Sequence, residues 1–258
     1  MTTPCSLFSK TTIRWLWALL ALGMLRAGAA EILWASGITE AVNDAVMSSP
    51  VVGIISSRPF QEGARVKAGT VILELDKRLE ELEVVRKRLM RDHAQLDLDR
   101  SRTLSQKSTV SISKEEVDKK QADFDVAAAD YEIATEQLHR RQIIAPFDGV
   151  IVDYFLKPGE GCQALQPLVR LVDPLRCYFV ASVESRVGHQ LKTGEPVEVQ
   201  VESGPKTVTL TGTIHFVSPV TDPASGLMKI KGVFENPGEQ VRPGVSGRMK
   251  LTLPDHDK

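Results

Sequence analysis

Side chains that could catalyse a reaction or bind a metal ion are present in this sequence of 258 residues, but their spacing builds no recognisable site. The histidines are dispersed and never stand at metal-ligand spacing: His93, His139, His189, His215 and His256. No nucleophile elbow, glycine-rich phosphate loop or His-Glu-x-x-His sequence occurs. We therefore expect a non-enzymatic protein with no catalytic residues, no metal ion and no cofactor.

Two cysteines, Cys162 and Cys177, could form a disulfide in an oxidising compartment. Cys162, however, follows Gly159 by three residues, as Val66 follows Gly63 in an earlier stretch of similar sequence. That position predicts a small, buried apolar side chain, a role that a free cysteine often fills. The sequence favours free thiols and leaves the disulfide open.

Charge excludes one class of function. The chain carries 32 Lys and Arg against 33 Asp and Glu, a net charge of −1, whereas a nucleic-acid-binding protein needs a clear basic excess. We expect no nucleic-acid partner. Aromatic residues make up only 5% of the chain, so the core must be built from aliphatic side chains.

The N-terminal region has the pattern of an export signal. Lys10 and Arg14 precede an apolar run over residues 15–25, and small residues follow as far as Ala30. This order is typical of a secretory signal peptide, and the run is shorter than the ~20 residues that span a bilayer. We expect residues 1–30 to be a signal peptide cleaved near Ala29 or Ala30. Retention of the segment as an anchor stays open.

An internal repeat predicts a β domain made of two halves. Residues 50–76 and 146–173 share a pattern of proline, glycine and a closing aspartate, with the same ten-residue interval between the first two glycines. Each copy alternates β-branched residues with glycine-containing turns, which predicts short strands. Neither half could bury its apolar face alone. We expect the halves to pack face to face, with Gly53 and Gly149 in equivalent turns.

A helical insertion separates the two halves. Residues 77–141 contain neither proline nor glycine, and apolar residues recur every seven positions on two arms. They are Leu82, Leu89 and Leu96 on the first arm, and Val117, Phe124, Tyr131 and Leu138 on the second. This spacing predicts an antiparallel coiled-coil hairpin. A break over residues 105–113 ends with Ser113 and Glu116, a helix-starting capping pair.

The sequence of the third segment, residues 174–254, predicts five to six strands of alternating residue pattern separated by turn sequences. Residues 184–191 could form one short helix. Strands at this density predict a small β barrel. Residues 255–258 form a tail.

Taken in order, these features resemble the membrane fusion, or periplasmic adaptor, proteins of the HlyD type. The resemblance rests on the split lipoyl-like halves, the insertion between Asp76 and the Ala145-Pro-Phe-Asp-Gly149 sequence, and the closing barrel with Asn236-Pro-Gly and Arg242-Pro-Gly244. It covers about residues 38–253. The implied fold is elongated α+β. A lipoyl-like barrel-sandwich hybrid (31–76 and 142–173) carries the inserted antiparallel α-helical coiled-coil hairpin (77–141) and is followed by the β barrel (174–254).

The resemblance implies a periplasmic adaptor that links an inner-membrane export pump, of RND or ABC type, to a TolC-type outer-membrane channel. It also implies self-association in the assembled complex. We expect the family's fourth, membrane-proximal domain to be absent. Arg100, Leu104 and Ser111 match the spacing of the Arg-Leu-Ser set that the family carries at the hairpin tip, where it docks on the channel. Another alignment places the serine at Ser113.

Two alternatives stay open at this point. Glu74-Leu75-Asp76-Lys77 resembles the lysine turn of lipoyl domains, so the chain could be a secreted cofactor carrier. However, in this sequence Lys77 starts a long helical segment instead of standing on a tight turn. The second alternative is a metal-binding module, which the dispersed histidines disfavour.

Overall fold

The computed structural model describes residues 31–107, 113–204 and 206–253. The predicted signal peptide, Ser111 and the tail lie outside the described residues. In chain order the strands are β1 (Glu31–Ala41), β2 (Asp44–Ser48), β3 (Gly53–Ser57), β4 (Arg65–Val66), β5 (Val71–Leu75), β6 (Gln142–Ile144), β7 (Gly149–Tyr154), β8 (Gly161–Cys162), β9 (Pro167–Val172), β10 (Arg176–Glu184), β11 (Pro196–Ser203), β12 (Lys206–Thr221), β13 (Leu227–Glu235) and β14 (Ser246–Leu253). The helices are α1 (Arg78–Lys107), α2 (Lys114–His139) and the short α3 (Ser185–Gly188).

The chain divides into two compact units. Among the described residues, the sandwich unit comprises residues within 39–178 and 235–244, and the barrel unit comprises residues 31–38, residues within 179–234, and residues 245–253. Two four-stranded sheets form the core of the sandwich unit, with strand orders β2-β9-β7-β4 and β6-β5-β3-β8. Each sheet contains strands from both copies of the repeat. Neither copy can therefore form its sheets without the other.

The two copies pair reciprocally. Gly53 lies opposite Cys162 in one sheet, and Gly149 lies opposite Val66 in the other. Gly53 and Gly149 begin strands β3 and β7, so the prediction that they occupy turns was wrong. Their lack of a side chain still matters at Gly149, where an added Cβ would lie 2.8 Å from the carbonyl oxygen of Val172.

The turns of the repeat are made by Gly63 and Gly159, whose φ angles are 83° and 91°. The N–H of Gly63 donates to the carbonyl of Ile151 at 2.7 Å, and the N–H of Gly159 donates to the carbonyl of Ile55 at 2.8 Å. Left-handed φ values of this kind favour glycine, which has no Cβ to clash. The repeat spacing in the sequence thus corresponds to an approximate twofold relation in the hydrogen bonding.

The aliphatic core of the sandwich unit also buries Cys162, which is 1% exposed and has a free thiol. This confirms the prediction that Cys162 takes the apolar position of Val66, which packs into the same core. Cys177 is also a buried free thiol. Burial raises its pKa to about 11, and the nearby carboxylates of Asp173 and Glu235 add to the shift.

The barrel is closed and has six strands in the order β1-β10-β13-β12-β11-β14. Residues 31–38 were assigned to the lipoyl-like domain from sequence, but the structure places them in the barrel, where this part of β1 pairs with β14. Gly37 on this strand shows why β1 fits there. A Cβ at that position would lie 2.1 Å from the carbonyl oxygen of Val180, so only glycine allows the neighbouring backbone to approach so closely.

Candidate functional site

The long helices α1 and α2 pack antiparallel, as their side-chain contacts show. The ammonium of Lys87 lies 2.5 Å from the carboxylate of Asp130, and the guanidinium of Arg91 lies 4.4 Å from the centre of the Tyr131 ring. At the start of α2, the hydroxyl of Ser113 accepts a hydrogen bond from the N–H of Glu116 at 3.2 Å. That bond is the one expected of the capping pair. The connection over residues 108–112 lies outside the described residues, so the continuous hairpin stays a prediction.

On α2, the heptad column predicted from the sequence does face α1. Its residues Val117, Phe124, Tyr131 and Leu138 are half-buried, and Ala134 is buried.

On α1, the heptad column predicted from the sequence does not face α2, so this prediction was wrong. Leu82, Leu89 and Leu96 are 60%, 60% and 55% exposed. The positions of α1 that are buried or half-buried at heptad spacing are Glu80, Val84, Lys87, Arg91, Ala94, Leu98 and Ser101. Lys87 and Arg91 occupy seam positions because their aliphatic stems pack while their charged groups reach α2.

An ion pair at the base of the helices ties them to the sandwich. The guanidinium of Arg141 lies 2.5 Å from the carboxylate of Glu80, and its other nitrogen donates to the carbonyl of Val52 at 3.0 Å. Arg141 thus joins the first turns of α1 to the chain entering β3.

Two of the three predicted tip residues are described, and the structure brings them together. Arg100 and Leu104 are both exposed and line one shallow surface depression, together with Leu96, Asp99 and Thr103. The guanidinium of Arg100 lies 3.6 Å from the carboxylate of Asp97 on its own helix. Leu104 is therefore an exposed apolar side chain beside a cation, at the end of α1. Ser111, the third residue, lies outside the described residues.

Lys77 does not resemble a cofactor-carrying lysine. It stands directly before α1, and its ammonium lies 2.7 Å from the carboxylate of Glu74. This hydrogen bond is the largest cause of the lowered pKa of Glu74, with further hydrogen bonds from Gln142 and Ser57. A lysine held in this way is not displayed on an exposed turn.

Within residues 31–107, 113–204 and 206–253, no three His, Cys, Asp or Glu side chains are grouped closely enough to hold a metal ion. No helix in these ranges is both long enough and apolar enough to cross a membrane.

Two family descriptions match the chain. The barrel-sandwich hybrid domain of RND membrane fusion proteins matches residues 43–173. The CusB-like β-barrel domain matches residues 179–255.

Related proteins carry names from efflux systems. The solvent efflux pump periplasmic linker SrpA of Pseudomonas putida is 28% identical over 225 residues, which cover 81% of this chain and 58% of SrpA. The multidrug resistance protein MexA of Pseudomonas aeruginosa is 26% identical over 231 residues, with the same two coverages. The chain thus spans less than two thirds of the length of these curated relatives.

Solved structures show the same fold. A MacA–MexA chimera that contains the Pseudomonas aeruginosa MexA α-hairpin domain superposes with a TM-score of 0.76 at 19% identity, covering 88% of this chain and 83% of that one. The sandwich match over residues 43–173 spans about half of the chain, and the chain therefore belongs to the RND membrane fusion protein family.

Proposed function

We propose that the protein is a periplasmic adaptor that links an inner-membrane export pump of the RND type to an outer-membrane channel. Membership of the RND membrane fusion protein family carries this proposal, and the names of the relatives SrpA and MexA support it. The role is structural and non-enzymatic. The ammonium of Lys77 is paired with the carboxylate of Glu74, which argues against the alternative of a cofactor carrier.

The helices α1 and α2 carry the contact with the channel, and the end of α1 is the docking site. Arg100 and Leu104 are suited to this role because both are exposed and neither occupies the seam with α2. A guanidinium can bind carbonyl or carboxylate oxygens of a partner through two parallel hydrogen bonds. Leu104 would supply the apolar anchor, and Ser111 completes the proposed set.

The pump is contacted by the sandwich and barrel units, in a complex that contains several copies of the adaptor. The chain is exported, with cleavage of the signal peptide near Ala29 or Ala30, and acts at the outer face of the inner membrane.

Site-specific photo-crosslinking in cells tests this function. A photoreactive amino acid at Leu104 should form adducts with an outer-membrane protein, and the same amino acid at the exposed Leu79, at the opposite end of α1, should not. Cell fractionation should find the protein in the periplasm or at the inner membrane. A cytosolic protein that still begins at Met1 would contradict the proposal.

A further inference from the structure

One end of the barrel contains a cavity of about 360 Å³. It lies where β10 ends and β13 begins, close to the start of β1 and beside Leu253, the last residue of β14. The short helix α3 follows β10 directly and forms one side of the cavity. Small-molecule sites span about 300–1,000 Å³, so this cavity has the size for one small molecule or a single alkyl chain.

The inner part of the cavity is aliphatic. Ala35 and Val183 are 5% and 4% exposed, and Leu33 is half-buried. The other aliphatic lining residues are Val187, Leu227 and Leu253. Burial of apolar surface against such a lining is favourable, so the inner part suits the hydrocarbon chain of a ligand.

The outer part of the cavity is polar and contains the Trp34 ring. Trp34 and Ser36 alternate with Leu33 and Ala35 along β1, so they point to the opposite face of the barrel wall. The guanidinium carbon of Arg248 lies 5.7 Å from the centre of the Trp34 ring, and this attraction restricts the ring. A tryptophan is apolar over its rings and polar at its N–H, so it suits the boundary between an alkyl chain and water.

An ion pair stands at the mouth of the cavity. Nε of Arg186 donates to the carboxylate of Glu184 at 2.8 Å, and the two side chains are 81% and 63% exposed. The pair gives the mouth one positive and one negative group. Because exposed ion pairs are weak, each group can exchange its partner for a charge on a ligand at little cost.

Helix α3, which carries Arg186, is fixed on the barrel. The hydroxyl oxygens of Ser185 and Thr221 lie 3.2 Å apart, which joins α3 to the end of β12. Gly188 packs so closely that an added Cβ would lie 2.7 Å from the sulfur atom of Met228 on β13. The wall of the cavity is thus preformed, as in most small-molecule sites.

We propose that this cavity binds a single-chain amphiphile with a zwitterionic head group, in which a phosphate stands beside an ammonium. The chain lies against the aliphatic lining, the phosphate pairs with the guanidinium of Arg186, and the ammonium pairs with the carboxylate of Glu184. A head group with one charge would be attracted by one of these residues and repelled by the other. The binding requires neither the pump nor the channel, so it is tested separately from the proposed function.

Fluorescence titration of the purified full chain tests the site. Trp34 is the only tryptophan in residues 31–258, so its emission reports on the cavity. Dodecylphosphocholine, added as monomers below its micelle concentration, should give a saturable blue shift. Dodecanoate and dodecyltrimethylammonium carry similar chains with a single negative or positive charge. They should bind about two- to fivefold more weakly, the range for one exposed ion pair.

A Trp34→Phe variant should lose the shift, because the other tryptophans, Trp15 and Trp17, lie in the predicted signal peptide. Four other results would each overturn the proposal. Equal affinity for the three probes would mean that the ion pair does not select the head group, and the absence of a saturable shift would mean that there is no site. A shift with phosphatidylcholine vesicles but not with monomers would indicate contact with a membrane surface. Binding that appears only after deletion of residues 254–258 would mean that the end of the chain competes for the cavity.

Two substitutions at the mouth test the assignment of the charges. Glu184→Gln removes the negative group, so dodecanoate should gain about two- to fivefold in affinity and dodecyltrimethylammonium should lose a similar factor. Arg186→Gln removes the positive group and should shift both affinities in the opposite direction. Both side chains are exposed, so the melting temperature should stay unchanged.

Asp44→Asn is the matched control. It breaks another exposed ion pair, in which the carboxylate of Asp44 lies 2.6 Å from the guanidinium of Arg170 in the sandwich unit. The affinities for all three probes should stay as they are in the unmodified chain. If the two mouth variants also keep the probe order of the unmodified chain, the proposal is wrong.

Discussion

Leu165 occupies the place in the second half of the sandwich that Gly69 occupies in the first. The N–H of Gly69 donates to the carbonyl of Ala145 at 2.9 Å, and the N–H of Leu165 donates to the carbonyl of Ser49 at 2.7 Å. Their φ angles, 82° and 63°, are both left-handed. The turn therefore imposes on a leucine a backbone conformation that glycine adopts without strain.

Replacing this leucine should stabilise the protein. Leu165 is 77% exposed, so Leu165→Gly loses little packing and relieves left-handed strain of about 1 kcal/mol. Urea denaturation should show a higher transition midpoint with an unchanged slope. Gly69→Leu is the reciprocal control and should lower the midpoint. A lower midpoint for Leu165→Gly would mean that the leucine side chain itself stabilises the turn.

The two strand-starting glycines should differ in their tolerance of a methyl group. At Gly149 an added Cβ meets the backbone oxygen of Val172, which cannot move independently. At Gly53 its nearest atom is the end of the flexible Arg141 side chain, at 2.9 Å. We expect Gly149→Ala to cost about 1–3 kcal/mol and Gly53→Ala less. Valine at either position should cost more and abolish transport. Equal melting temperatures for the two alanine variants would contradict this asymmetry.

The buried Asn236 should be intolerant of aspartate. Its side-chain amide donates to the carbonyls of Pro174 and Val241 at 2.8 and 2.7 Å. A carboxylate would oppose two acceptors, so Asn236→Asp should destabilise the protein by about 2–4 kcal/mol at neutral pH.

The pH dependence of that variant gives a second check. Burial raises the pKa of the introduced carboxyl group above its value in the unfolded chain. The penalty is then largest at pH values above the folded-state pKa and shrinks as the pH falls towards the unfolded-state value. Chemical denaturation across this range should show the variant approaching the unmodified protein in acid. A constant difference would mean that the carboxyl group stays protonated or reaches solvent.

Changes at the end of α1 should separate docking from folding. Arg100→Asp combined with Leu104→Asp should leave export and melting temperature unchanged, because both side chains are exposed, while transport falls sharply. Loss of a central interface residue commonly costs on the order of 2 kcal/mol. Several copies around a channel can mask a single change, so the double variant is the stronger test.

Leu79 is an even more exposed leucine at the base of the same helix, so Leu79→Asp serves as the control and should transport normally. Normal transport by the well-folded double variant would assign the docking site elsewhere.

The repeat was predictable from sequence because its glycines perform backbone tasks that no other residue performs as well. Gly63 and Gly159 adopt left-handed φ angles, and their ten-residue interval from Gly53 and Gly149 is preserved in both copies. The pairing that actually results, in which two adjacent strands of one half are flanked by strands of the other half in each sheet, depends on contacts between distant residues. The spacing of residues along the chain does not predict such contacts.

The first helix shows where the sequence pattern misleads. Its most regular leucines point away from α2, and the seam is filled instead by Lys87 and Arg91. Heptad spacing identifies an apolar face but does not tell which neighbour covers it. The placement of β1 in the barrel was missed for a similar reason, since its partner β14 lies at the other end of the sequence.

The interleaving of the two halves has a consequence for the kinetics of folding. Strands β2 to β5 cannot complete either sheet until β6 to β9 have emerged, and α1 and α2 separate the two groups. Helices form faster than sheets whose strands are distant in sequence. Early pairing of α1 with α2 would bring Asp76 and Gln142 close together and reduce the entropy cost of closing the intervening loop. The helices would then act as a clamp that accelerates closure of the sandwich, in addition to any role they have in the finished molecule.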